Sequence, residues 1–179
     1  LEFGACFLEF FFKMILAIDV HYREDFAKSV SIEFDNWAEE NILQIHETII
    51  DEVEEYVPGE FYKRELPCLL QVIKLSDREA IDLIIVDSYV VLNDEGKLGL
   101  GGYLYEALNK EIPVIGVAKK NFLSNTKNVR EVLRGESQKP LYVSSIGIDI
   151  DEAAEKIQQM KGEFRLPEML KLVDRKGRE

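Results

Sequence analysis

The sequence predicts a single α/β domain on a mixed sheet, three antiparallel strands first and parallel strands after them, with helices on both faces. Three observations carry this expectation. Between residues 14 and 50, three strand-like segments follow one another with only short breaks, the pattern of an antiparallel meander. Two later segments, DLIIVD at 82–87 and PVIGVA at 113–118, have wholly apolar interiors, as do strands buried on both faces. Helical periodicity lies between and after them, and strands that alternate with helices build a sheet covered on both sides. A length of 179 residues suits one core.

Residues 14–20, MILAIDV, form an apolar strand that reaches Asp19, and HYRED reads as a turn. AKSVSIEF at 27–34 alternates enough for a half-exposed strand. NWAEEN is a polar break, and the Ile-rich ILQIHETII at 42–50 is a third strand. After the irregular YVPG, a helix is expected over about 61–75, with Leu66, Leu69, Leu70 and Ile73 at helical spacing. Pro67 is tolerated best in a first turn, which argues for a start nearer Leu66. The stretch YVVLNDEGKLGLGG at 89–102 reads as a loop, and YLYEALNK at 103–110 as a helix. LYVSS at 141–145 is a further short strand. DEAAEKIQQMKG at 151–162 is an amphipathic helix stopped by Gly162, and residues 166–179 form a final helix. There is no internal repeat and no low-complexity tract.

The net charge is −12, which counts against a nucleic-acid partner, because phosphate binding draws on Lys and Arg. The distribution is uneven. Residues 33–60 hold ten acids and no Lys or Arg, whereas residues 119–139 hold six bases against two acids. One face can therefore repel phosphate while another attracts it. Two cysteines, Cys6 and Cys68, make no disulfide framework, so a reducing cytoplasm is expected. Residues 1–12, LEFGACFLEFFF, are too short to span a bilayer and lack a basic n-region. We expect residues 1–13 to be a leader or non-native segment, residues 14–179 to be the domain, and no membrane partner. The oligomeric state is not legible.

Asp19 and Asp87 each end an apolar run. Either alone reads as a strand-end acid at a turn. Taken together on neighbouring central strands, about 4.8 Å apart, they could share one cation. Two such carboxylates repel unless one is protonated or a cation intervenes. Magnesium suits the task, since it takes hard oxygen ligands and keeps waters for exchange with a phosphate. Glu65, near a helix start, could add a third oxygen or simply favour the helix dipole. Lys119, after VIGVA, could contact a phosphate or remain a surface lysine. Tyr56, Val57, Pro58 and Gly59 join an aromatic and a proline in a tight turn, which is either a packed loop or a wedge between bases. KLGLGG lacks the spacing of a dinucleotide site. His21 and His46 sit at no metal-ligand spacing from any cysteine.

In order along the chain, these segments resemble the endonuclease V family. ILAIDV and DLIIVD resemble its two catalytic strands, and YVPGEFYKRELP its Tyr-Ile-Pro-Gly…Arg-Glu-x-Pro block. KLGLGGYL, PVIGVAKK, LYVSS and FRLPEMLKLVDR resemble the blocks that follow. The resemblance implies a ribonuclease H-like fold and magnesium-dependent cleavage of nucleic acid, with manganese able to substitute. The implied substrate is deoxyinosine in DNA or inosine in RNA, cut on the 3′ side of the deaminated base. It makes Asp19, Glu65 and Asp87 the metal-binding catalytic carboxylates, Lys119 the residue that steadies phosphate charge, and Tyr56 to Gly59 the strand-separating turn. The sequence also departs from the family. Asn93 and Gly147 stand where histidines are usual, with Asp149 a conceivable replacement ligand. The segment 120–140 is short, as though a strand pair were missing. An active nuclease is therefore the leading expectation. The alternatives are a catalytically degenerate relative that binds nucleic acid or protein, and a ribonuclease H-like nuclease with another substrate.

Overall fold

The structure is a computed structural model that describes residues 13–51 and 57–179. Seven strands form one sheet: β1 (Met14–Tyr22), β2 (Ala27–Phe34), β3 (Ile42–Ile50), β4 (Ile81–Val86), β5 (Val114–Ala118), β6 (Arg130–Val132) and β7 (Leu141–Ile146). Their spatial order is β3-β2-β1-β4-β5-β7-β6. The first three strands are antiparallel neighbours, and β1-β4 and β4-β5 are parallel. The mixed α/β architecture expected from the sequence is thus present. The far side differs in detail, because β7 runs antiparallel to β5 and β6 antiparallel to β7. The short segment 120–140 is also not bare of strand, since it supplies β6.

Among the described residues, four α-helices cover the sheet: α1 (Phe61–Ile73), α2 (Leu100–Ala107), α3 (Ile150–Gln159) and α4 (Glu168–Arg178). Side chains alternate across a strand, so each inner strand feeds two cores. Leu16, Ile18, Ile84 and Val86 pack with Leu69 and Val72 of α1 and Leu104 of α2. Ile15, Ala17, Leu83 and Ile85 pack with Ile157 of α3 and Leu170 and Val173 of α4. This double coverage explains why β2 is buried along nearly its whole length rather than half-exposed. Among the described strands, β3, at the sheet edge, is the one with an exposed pattern along most of its length.

Helix α1 keeps the start expected near residue 61 rather than the later one that Pro67 argued for, and α2 begins earlier than its sequence suggests. Helix α1 starts at Phe61 and passes straight through Pro67. Proline in a helix interior removes one backbone donor, and here Pro67 stands on the exposed side of α1. Helix α2 starts at Leu100 and absorbs two glycines. A Cβ on Gly102 would lie 2.6 Å from the Val90 carbonyl oxygen. The glycines therefore serve close packing of α2 on the preceding loop. Among the described residues no helix is long and apolar enough to cross a membrane. Cys68 is free and buried.

Candidate active site

The parallel pairing of β1 and β4 brings the first two candidate residues together. Ile18 pairs with Val86, so Asp19 and Asp87 are the next residues along two adjacent strands. Each shares the parity of the side chains that face α3 and α4, Ile15 and Ala17 on one strand, Leu83 and Ile85 on the other. Both acids therefore stand at the same end of the sheet on the same side, beyond the carboxyl ends of parallel strands, where α/β sheets place their ligands. They line a small cavity with Val117, Leu166, Leu170 and Val173.

Lys119 follows β5 and reaches across, its Nζ 2.5 Å from Asp87 Oδ2. Glu65 arrives from α1, and at 8 % exposure it is one of the few buried charged residues. Its carboxyl is pushed up to about 8 by burial first and then by the charges of Asp19 and Asp87, with Arg64 partly offsetting them. Asp19 is pushed up to about 7, again by burial first, then by Asp87 and Asp174; the Val20 amide and Lys119 act the other way. Acids from three elements thus share one field.

Among the described residues, no group of three or more His, Cys, Asp or Glu side chains is gathered as a ready-made metal cage. The donor set nevertheless suits a hard divalent cation. Carboxylates that raise one another's proton affinity are short of positive charge: Lys119 pairs directly with Asp87, and its action on Asp19 and that of Arg64 on Glu65 offset the rise only in part. Magnesium needs just one or two direct carboxylates, the rest being water and substrate oxygens.

Asp174 is the acid that sequence reasoning missed. It lies on α4, whose residues Leu170 and Val173 pack on the sheet, and its charge acts on Asp19. Its Oδ1 accepts from Arg178 at 3.0 Å, one turn on. In the sequence it is one acid in a charged terminal helix, and only its spacing of one from the buried Val173 marks it out. Asp149, the conceivable replacement ligand, is engaged at a helix end. Its carboxylate caps α3 by accepting the Asp151 and Glu152 amides at 2.9 and 3.1 Å. Asn93, at one expected histidine position, closes a turn by accepting the Lys97 amide at 2.8 Å. Gly147, at the other, has φ +78°.

Beside the acids opens a cleft of about 450 Å³, lined by Phe61, Tyr62, Tyr89, Leu92, Tyr103 and Phe122 among others. One wall is a stacked pair, Tyr62 on Tyr103, with centroids 3.7 Å apart. Leu92 and Phe122, also on the lining, belong to two loops fastened together. Asp94 accepts the Thr126 and Lys127 amides at 2.7 and 2.8 Å, and Asn125 donates to the Val91 carbonyl at 2.7 Å. Gly116 lets the turn after Asp87 lie against β5, because a Cβ there would sit 2.3 Å from the Ser88 carbonyl oxygen. At the cleft's edge, Val57, Pro58 and Gly59 form a turn closed by the Glu60 amide on the Val57 carbonyl at 3.0 Å. Pro at the second position and Gly59 with φ +83° at the third are the chemistry of a type II turn. Val57 is 48 % exposed. Tyr56, the expected aromatic of this turn, lies outside the described residues, as do residues 1–12 of the leader expected over 1–13.

Residues 7–175 match the family model described as Endonuclease V. A bifunctional methyltransferase/endonuclease of Picrophilus torridus is 32% identical over 114 residues, which cover 64% of this chain and 35% of that protein. The chain thus corresponds to about a third of that relative's length. Among solved structures, endonuclease V of Streptomyces avermitilis superposes with a TM-score of 0.73 at 23% identity, covering 92% of this chain and 79% of its own. A Ciona intestinalis endonuclease V variant, in complex with a 23mer DNA containing an inosine followed by a ribo-adenosine, gives 0.77 at 18% identity, covering 93% and 84%. At these identities the superpositions speak for the fold.

Proposed function

Since this chain belongs to the endonuclease V family, we propose that it is a divalent-metal-dependent endonuclease that cuts a phosphodiester 3′ to a deaminated base, deoxyinosine in DNA or inosine in RNA. The observation that carries the reading is the placement of Asp19 and Asp87 one residue beyond the paired Ile18 and Val86, with Lys119 on Asp87 and Glu65 coupled to both acids. The inosine-containing DNA bound by the Ciona relative supports the choice of substrate, and the cleft beside the acids supports it independently.

Asp19 and Asp87 would hold magnesium, or manganese in its place, with Glu65 and Asp174 contributing directly or through water. When bound, such an ion supplies Lewis acidity and a more acidic water. The remaining work falls to side chains. The Lys119 ammonium, 2.5 Å from Asp87, stands where it can meet negative charge on a phosphate oxygen as the bond is cut. Val117, Leu166, Leu170 and Val173 line the cavity behind the acids and strengthen each electrostatic contact by limiting water. The aromatic cleft, with Tyr62 and Tyr103 on one wall, offers a flat apolar surface to a base turned out of its stack. The Val57 to Gly59 turn projects at its edge as the candidate strand separator.

The purified protein should nick inosine-containing oligonucleotides, DNA or RNA, when magnesium or manganese is supplied, and should leave matched adenosine controls whole. Absence of cutting on both nucleic acids would favour the non-catalytic binding protein, the reading suggested by Asn93 and Gly147 at histidine positions and by the net charge of −12.

A further inference from the structure

Lys119 is the first residue past β5, beyond the last ladder pair between Ala118 and Tyr142, so no strand pairing sets its position. Two side chains take over. Tyr89 donates its hydroxyl to the Lys120 carbonyl at 2.8 Å. Arg165 donates Nη2 to the Lys119 carbonyl at 2.6 Å. The same guanidinium holds the Pro140 carbonyl, through Nη2 at 2.6 Å and Nε at 3.2 Å. Pro140 immediately precedes β7, so Arg165 bridges the end of one strand and the start of its antiparallel neighbour. The forked, planar guanidinium suits such a bridge, because several donors leave it in fixed directions.

Arg165 itself lies in the irregular connection between α3 and α4, and a second arginine secures that connection. Arg134, 3 % exposed, donates Nη1 to the Phe164 and Arg165 carbonyls at 3.0 and 3.4 Å. Its Nη2 donates to the Gly162 carbonyl at 3.2 Å and to the Met160 carbonyl. No carboxylate is among these partners. The next residue presses on the same connection, since a Cβ on Gly135 (φ +57°) would lie 2.0 Å from the Glu163 carbonyl oxygen. Burying a guanidinium among carbonyls is costly, and here it orders one particular stretch of backbone.

We propose that Arg165 is a positioning residue for Lys119, and that Arg134 holds Arg165 in place. The two arginines form a brace that runs from the short segment after β6, through the α3–α4 connection, to the ammonium that faces Asp87. What Lys119 does rests on the nuclease reading; where it is held does not.

Two measurements separate these. In isotopically labelled protein, the 13Cε signal of Lys119, assigned by its loss in Lys119→Arg, shifts in Arg165→Lys, while the signals of Lys110 and Lys156 stay. In cleavage assays Arg165→Ala lowers kcat by about 10- to 100-fold with little change in KM, as expected when a reacting group is displaced by roughly 1 Å. Arg165→Lys, which keeps one donor, recovers part of the loss. In the Lys119→Ala background, Arg165→Ala costs no more than about 2-fold, because the group it positions is gone. An unmoved Lys119 signal in the folded Arg165→Lys variant, or losses from the two alanines that multiply, would overturn the brace. Absence of wild-type cutting beside a shifted signal would overturn the nuclease reading and leave the brace standing.

Discussion

The acid cluster and the aromatic cleft lie side by side, yet they are built on opposite terms. Around Asp19 and Glu65 the structure concentrates like charge in partial or full burial, an arrangement that raises both proton affinities. Around the cleft, loop polar groups pair with one another, as in the Asp94 contacts to Thr126 and Lys127. The first region carries an electrostatic cost that a bound proton or a cation relieves. The second is stable as it stands and presents a preformed apolar surface. The difference teaches which region should respond to metal and which to the shape of the substrate.

The largest effect should come from the acids. Asp87→Ala removes a carboxylate at the strand end and should lower nicking at least about 100-fold, with little change in melting temperature, because Asp87 is exposed. A nicking assay with metal titration checks this, and near-wild-type cutting would place the chemistry elsewhere. On the cleft side, Tyr103→Ala breaks the stacked pair with Tyr62. It should raise KM about 3- to 10-fold, the range expected for one aromatic contact, and leave kcat nearly unchanged. An equal fall in kcat would mean that the cleft and the acids are one unit.

The smallest effect is thermal and tests the cluster without any substrate. Asp19 and Glu65 have folded pKa values of about 7 and 8, above their ordinary 3.8 and 4.5. The folded state therefore holds these protons more tightly than the unfolded chain does. Their contribution to stability is full below about pH 4 and is lost as pH rises through 7 and 8. In chelator, the wild type should lose several degrees more of melting temperature between pH 5 and pH 8 than Asp19→Asn does. At pH 8, magnesium should restore the wild type and not the variant. Parallel melting curves, with and without magnesium, would remove the proposed metal site.

Much of this architecture is legible from local pattern. Apolar runs ended by acids mark β1 and β4 together with Asp19 and Asp87, and VIGVA followed by lysine marks β5 and Lys119. Other features resist such reading. AKSVSIEF alternates like a half-exposed strand and is buried only because α1 and α4 close over its two faces. The glycines before YLYEAL look like loop until Val90 and Leu98 press against them. Asp174 resembles any surface acid paired with an arginine one turn away.

By itself, then, the sequence determined the elements and the candidate acids, because strand and helix periods are properties of neighbouring residues. The tertiary structure alone decided that Ile18 would pair with Val86, that Glu65 of α1 and Asp174 of α4 would each share an electrostatic field with Asp19, and that Arg165 would reach Lys119. Register, sheet order and helix docking depend on contacts between residues far apart in the chain, and no local pattern encodes them.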